Sequence, residues 1–104
     1  MTAAAYNARD LDRFIAEYAD DVRVFRLPSA DPAISGKRAL AEHYAANRFN
    51  LPDLHAALVD RMIMGNKVLD HERIVGVRPD PFEAIAVYEV VDDLIKTVWF
   101  FNAD

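Results

Sequence analysis

The densest group of ionisable residues in the sequence is the run Asp70-His71-Glu72-Arg73, which lies within a β-strand pattern. Because side chains alternate along a strand, Asp70 and Glu72 face one side while His71 and Arg73 face the other. Two carboxylates on one face can activate a water molecule or abstract a proton, so Asp70 and Glu72 are candidate catalytic residues. The alternative is a structural network of ion pairs, since such networks also gather charged side chains.

Arg26 is a further candidate, because it is a charged residue near the end of the apolar strand pattern at residues 22–27. An inward-facing arginine there could bind the carboxylate of a ligand through a bidentate contact. It could also assist Asp70 and Glu72 in a hydrolase or isomerase reaction. The alternative is a salt bridge from Arg26 to Asp70 or Glu72, because charged groups are rarely buried unpaired.

The histidines and the missing cysteines predict neither a metal site nor a cofactor. His43, His55 and His71 lack the spacing of a paired metal-binding motif. The chain has no cysteine, so disulfides and thiol chemistry are excluded.

The elements that would position these residues form an α+β pattern, with helices mainly in the first half and strands in the second. Leu11, Phe14, Ile15 and Tyr18 repeat at helical spacing and predict a helix. The sequence predicts helices at 10–18 and 37–48 and strands at 22–27, 54–64, 67–77, 83–91 and 94–102. Turns are expected at Asp20-Asp21 and Gly65-Asn66, as well as at 78–81 and 92–93, and a loop at 28–32.

The last predicted strand is apolar on both faces, which indicates that both faces are covered. Strict alternation places Leu94, Val98 and Phe100 on one face and Ile95, Trp99 and Phe101 on the other. Helices can cover the first set. We therefore expect a homodimer in which Trp99 and Phe101, on the outer face of the sheet, pack against a second copy.

Length, charge and composition limit the number of domains, the kinds of partner and the location of the protein. A chain of 104 residues predicts a single domain spanning residues 1–104. A net charge of -5 argues against a nucleic-acid partner. The first residues lack the pattern of a signal peptide, and no apolar run is long enough to cross a membrane, which together predict a cytoplasmic protein.

Three segments precede the strand-rich half, at residues 7–12, 18–24 and 35–40. In their order and spacing they resemble the nuclear transport factor 2-like superfamily, and within it the SnoaL-like proteins and ketosteroid isomerase. The resemblance implies a cystatin-like cone: a curved, mainly antiparallel mixed sheet wrapped around N-terminal helices, usually dimeric, with a deep apolar cavity.

The same resemblance does not carry ketosteroid isomerase activity to this chain. That enzyme uses an aspartate base with a tyrosine and a protonated aspartic acid as oxyanion donors. Here Arg26 falls at the position of the base, Ala86 at that of the acidic donor, and the oxyanion tyrosine falls near Thr2. Tyr44 matches a supporting tyrosine.

Three functions stay open: a binder of a small apolar molecule without ketosteroid isomerase activity, a hydrolase or isomerase using Asp70, Glu72 and Arg26, and a structural dimerisation module with a filled cavity. The inward helix stripe, the match of Tyr44 and the family register of the strands together predict which residues bind the ligand. They are Phe14, Tyr18, Arg26, Tyr44, Asp70, Glu72, Ile74, Val98, Phe100 and Asn102.

Overall fold

The computed structural model describes residues 3–102, and the side chains of residues 4–101. This part of the chain forms helices α1 (Ala3–Asn7), α2 (Leu11–Ala16) and α3 (Lys37–Asn47). It also forms strands β1 (Tyr18–Arg26), β2 (Pro32–Ser35), β3 (His55–Met64), β4 (Lys67–Val75), β5 (Phe82–Val91) and β6 (Leu94–Asn102). Among these residues, no helix is long and apolar enough to span a membrane.

The strands form one mixed sheet in the order β2-β1-β6-β5-β4-β3. Strands β3 to β6 make an antiparallel meander, as the sequence predicts. β1 pairs with β6 in parallel and with β2 antiparallel, so β3 and β2 are the two edges. The α+β class and the mixed sheet are therefore confirmed.

The core lies between the helices and one face of this sheet. Its buried residues come from α1, α2, α3 and five of the strands described, and include Ala5, Phe14, Tyr18, Val22, Val24, Leu40, Ala86, Tyr88, Ile95 and Val98. Any site between the sheet and the helices is therefore lined by side chains from this face of the sheet.

The short helix α1 is tied to the edge strand β3 by a single amide side chain. Asn7 donates from Nδ2 to the carbonyl oxygen of Ala56 at 3.0 Å and accepts from the Ala56 backbone N–H at 2.8 Å. Arg9 adds a hydrogen bond from Nη1 to the Leu54 carbonyl oxygen at 3.0 Å. The Asn7 amide thus occupies backbone groups that an edge strand would otherwise leave unpaired.

Two features near the start of the sheet correct the prediction. Asp20 and Asp21 lie within β1, which begins at Tyr18, rather than in a turn. The predicted loop at 28–32 ends in β2, a short edge strand that the prediction missed. Pro32 is its first residue, a position where the missing N–H of proline costs no ladder hydrogen bond.

The two faces of β6 differ from strict alternation at its first two residues, since Leu94, expected toward the helices, is 37% exposed and does not belong to the core. Val98 and Phe100 face the helices, while Trp99 and Phe101 face away from them, as predicted. Ile95, however, is buried in the core on the helix side. The pairing with β5 shifts between Glu89 and Val90, and this bulge reverses the alternation before Thr97.

Candidate functional site

A cavity of about 240 Å³ lies between the helices and the core-facing side of the sheet. Its wall combines aromatic and aliphatic side chains with one carboxyl group, several phenols and basic groups. The lining residues are Tyr6, Phe14, Tyr18, Arg26, His43, Tyr44, Arg48, Ala56, Glu72, Ile74, Val77, Arg78, Phe82, Ala84, Tyr88 and Phe100. An apolar wall with a few convergent polar groups is the usual form of a small-molecule site.

Phe14 is the centre of the aromatic wall on the helix side. Its ring centroid lies 4.7 Å from that of Tyr44, 5.0 Å from Tyr18 and 5.2 Å from Phe49. Tyr6, from α1, packs against the same group with a centroid distance of 6.2 Å to Phe14. These contacts fix the rings from three helices and the start of β1 into one rigid surface.

The structure brings seven of the ten predicted ligand-binding residues to this wall: Phe14, Tyr18, Arg26, Tyr44, Glu72, Ile74 and Phe100. Val98 is buried in the core beside the cavity and does not line it. The prediction for Asn102 concerns a side chain outside the described ones, and Thr2 lies outside the described residues.

Asp70 differs most from the prediction, because its carboxylate is held by Arg61 rather than by Arg26. Arg61 donates from Nε to Oδ1 at 2.6 Å and from Nη2 to Oδ2 at 2.9 Å, and Asp70 is only 2% exposed. Asp70 does not line the cavity. The bidentate pair uses both of its oxygens, so we assign it a structural role.

A β-bulge explains why Arg61 occupies this position. In the β3–β4 pairing Leu58 lies opposite Glu72, but the register then shifts, so that Arg61 lies opposite Asp70. Without the extra residue, Asp60 would face Asp70 and two carboxylates would meet. The bulge therefore replaces a repulsive pair by an ion pair.

Glu72 is the carboxyl group that the cavity contains. It is 8% exposed, and no hydrogen bond or ion pair joins it to another residue of the described part of the chain. Burial, aided by the negative charge of Asp70 and opposed by Arg61, raises its pKa from 4.5 to about 7. A carboxyl group with such a pKa can accept or donate a proton near neutral pH.

The phenols on the wall stay protonated near neutral pH. Burial raises the pKa of Tyr6, and it likewise raises the pKa of Tyr18 and of Tyr44. A protonated phenol is a hydrogen-bond donor, so these groups can contact an oxygen atom of a ligand.

The basic residues of the cavity lining, Arg26, His43, Arg48 and Arg78, are all exposed or partly exposed, and we call this part of the lining the mouth of the cavity. Arg26 and Arg78 lie over wall rings, with the guanidinium carbon 5.9 Å from the Phe100 centroid and 4.1 Å from that of Phe82. Arg26 lines the cavity as expected, but in the described part of the chain it forms no salt bridge to Asp70 or Glu72, so that alternative is wrong. Its role as a ligand-binding arginine stays a prediction.

Helix α3 supplies the remaining basic groups of the mouth. Arg48, at its C-terminal end, hydrogen-bonds to the side chain of Tyr6. Burial and the charges of Arg26 and Arg48 lower the pKa of His43. His43 was expected on the helix surface or at the edge of the cavity, and it lines the cavity. The prediction missed Arg48, although Leu40, Tyr44 and Arg48 share one helical face at i, i+4 and i+8.

The sequence matches the family model described as a SnoaL-like domain over residues 1–98. The chain belongs to the SnoaL-like domain family. Its fold is shared with nuclear transport factor 2-like, ketosteroid isomerase-like and cystatin-fold proteins. No curated protein matches the sequence at a significant level.

Solved structures agree with this assignment. A cystatin-fold protein from Novosphingobium aromaticivorans is 29% identical, with a TM-score of 0.85 over 95% of this chain and 90% of that one. A proposed ketosteroid isomerase from Kribbella flavida is 19% identical, with a TM-score of 0.83 over 98% and 72%. A proposed polyketide cyclase from Sinorhizobium meliloti is 18% identical, with a TM-score of 0.80 over 94% and 87%. At such low identity, the last two similarities show the fold alone.

Proposed function

We propose that this SnoaL-like domain binds a small, largely apolar molecule with a single ring. The observation that carries the proposal is the aromatic-walled cavity with Glu72 as its buried carboxyl. A cavity of roughly 150 Å³ holds a benzene molecule, so the volume of about 240 Å³ suits one substituted ring. The open volume disfavours a structural module with a filled cavity.

The same geometry supports the absence of ketosteroid isomerase activity. Four fused rings exceed a cavity of about 240 Å³. Ala86, at the position of the acidic oxyanion donor, is fully buried and carries no polar group. We expect no turnover of a ketosteroid. Turnover that survives Glu72→Gln would show that the wrong residues have been assigned.

A second candidate function is proton transfer by Glu72, favoured by its unpaired carboxyl. In the ionised form Glu72 can take a proton from a carbon next to a carbonyl group, and in the neutral form it can return that proton. The phenols of Tyr18 and Tyr44 would donate hydrogen bonds to the oxygen on which charge develops. Asp70, held by Arg61, has no part in this reaction.

The binding proposal is tested by a nuclear magnetic resonance titration of the labelled protein with a set of single-ring compounds. Binding should shift the backbone amide signals of wall residues such as Ile74 and Ala84, and leave those of the outer face unchanged. Ala84→Leu places extra atoms in the cavity and should abolish the shifts. Ala57→Leu adds the same atoms at an exposed position of β3 and should not.

The design separates binding from fold damage. Both leucine variants must unfold cooperatively before their titrations are compared. Shifts that persist in Ala84→Leu would place the binding site elsewhere, and compounds that shift no wall residue at any concentration would contradict the proposal. Hydrogen–deuterium exchange at carbon in a bound ketone, lost in Glu72→Gln, would support the proton-transfer function.

We also propose a homodimer through the outer face of the sheet. Phe101 is 44% exposed there, and Trp99 and Phe25 stack beside it with ring centroids 6.4 Å apart. Ile85 and Val87, on β5, extend the same apolar face. Contiguous apolar patches of this kind are usually covered. Sedimentation at micromolar concentration should give a dimer for the natural chain and a monomer for Phe101→Arg, and a monomer in both would refute the proposal.

A further inference from the structure

The mouth of the cavity is strongly basic in a protein that is acidic overall. Arg26, Arg48 and Arg78 line the site, and Glu72 is the single acidic residue among its lining residues. The whole chain carries a net charge of -5. The three arginines therefore concentrate positive charge where the remaining surface is negative, and such a cleft attracts ligands of the opposite sign.

These arginines are available to a ligand. In the described part of the chain, the ion pairs involve Lys37, Arg38, Arg61, Lys67, His71 and Lys96, and none involves the three arginines of the mouth. Arg61, by contrast, has the carboxylate of Asp70 as its partner. Arg48 donates to the Asn47 carbonyl oxygen at 2.8 Å and is hydrogen-bonded to Tyr6, but these partners are neutral. The positive charge of all three guanidinium groups is therefore not neutralised by a carboxylate of the described residues, and an oxyanion can pair with it.

Their positions are defined by the wall itself. Arg26 lies over Phe100 and Arg78 over Phe82, and both rings line the cavity. Such contacts hold a guanidinium group against the ring face and restrict where it can point. The guanidinium groups come from three separate parts of the chain: the end of β1, the C-terminal end of α3 and the connection between β4 and β5.

We propose that the ligand of this cavity carries an oxyanion group, a carboxylate or a phosphate, bound at the mouth by Arg26, Arg48 and Arg78 with its ring among the aromatic residues inside. The inference rests on the proposed binding function and names its ligand class. It also predicts the orientation of the bound ligand, with the anion at the arginines and the far side of the ring toward Glu72.

The test compares matched acid and amide ligands. Benzoate and benzamide have nearly the same shape and differ in charge, and phenyl phosphate serves as the second oxyanion. Each is titrated into the full chain while the amide signals of the wall residues are followed. Each arginine contact of roughly 1 kcal/mol corresponds to about fivefold in affinity, so three contacts predict that benzoate or phenyl phosphate binds on the order of a hundredfold more tightly than benzamide. Tighter binding of benzoate would assign a carboxylate to the ligand, and tighter binding of phenyl phosphate would assign a phosphate.

Variants on one strand provide the matched control. Arg26→Gln should weaken the anion by about fivefold and leave benzamide unchanged, since one contact of roughly 1 kcal/mol is lost. Arg23→Gln removes the same charge three residues away on β1, where Arg23 lies over Phe25 on the outer face, and should change nothing. Arg48→Gln and Arg78→Gln should each behave as Arg26→Gln does.

The outcomes separate this inference from the proposed function. Equal affinity for benzamide and both anions, or equal effects of Arg26→Gln and Arg23→Gln, would overturn the oxyanion site while leaving small-molecule binding intact. The absence of shifts at wall residues with any of the three probes would overturn both proposals.

Discussion

Replacing the buried carboxyl of Glu72 by an amide is expected to stabilise the protein above pH 7 and to have little effect in acid. Its pKa is 4.5 in the unfolded chain and about 7 in the folded protein. Between these values the folded state binds more protons than the unfolded state, so stability falls as pH rises through this range. Each pKa unit corresponds to about 1.4 kcal/mol, which gives a cost of about 3 kcal/mol for the ionised group.

Glu72→Gln has nearly the shape of the protonated acid and cannot ionise. It should therefore match the natural chain in stability near pH 4 and exceed it by about 3 kcal/mol near pH 8.5. The assay is urea unfolding followed by Trp99 fluorescence, at one protein concentration so that any association is held constant.

The control is Glu42→Gln, a carboxyl of α3 whose side chain is 71% exposed. Its effect on the free energy of unfolding should not change with pH by more than a few tenths of a kcal/mol. If Glu72→Gln gains no more stability between the two pH values than Glu42→Gln does, ionisation of Glu72 does not destabilise the folded protein.

Three further substitutions test how the site is supported. Arg61→Met leaves Asp70 buried without a partner and should lower the free energy of unfolding by about 3–5 kcal/mol in urea unfolding; a loss below about 1 kcal/mol would show that Asp70 finds another partner. Phe14→Ala removes a ring that is 2% exposed at the centre of the aromatic wall, and calorimetry should show a loss of about 3–5 kcal/mol, with an unchanged melting temperature counting against its central role. Gly76→Ala should destabilise far more than Gly65→Ala, since both have positive φ (84° and 59°) but a Cβ at Gly76 alone would collide with neighbouring backbone; equal melting temperatures of the two variants would contradict this.

Regular periodicity in the sequence predicted most of the fold. The last strand, 94–102, was predicted at its observed bounds because its apolar run begins directly after a clear turn. Asp92 and Asp93 form the predicted turn before it, with φ of 52° and 66°. Such left-handed backbone is a local property of short polar residues, which is why the sequence reveals it.

The errors came from features that depend on long-range pairing. No residue pattern near Asp60 and Arg61 predicts the bulge that places Arg61 opposite Asp70. Strict alternation placed Asp70 and Glu72 on one face, and the family resemblance implied that this face looks into the cavity. Neither could supply the partner of Asp70. Arg26 was given that role because the actual partner lies on a strand whose register is set only when the sheet assembles.

The position of the cavity was predictable from the sequence, but the positive charge of the residues at its mouth was not. Phe14 follows from the helical stripe, and Ile74 and Phe100 follow from strand alternation. Tyr18 was predicted on the same helical stripe and lines the cavity, but it is the first residue of β1, since α2 ends at Ala16. Arg78 lies in a turn, whose side-chain directions depend on packing rather than on a repeating pattern. The basic mouth therefore became visible only in the folded chain.

We propose that the cavity beside Glu72 is a binding site for a small ring that carries an oxyanion. The most direct measurement is a crystal structure of the protein grown with saturating benzoate. We expect the ring between Phe14 and Ile74, with its far edge toward Glu72 and its carboxylate in contact with the arginines of the mouth. A cavity that is empty, or that is filled by the repacked side chains of its own wall, would contradict the claim.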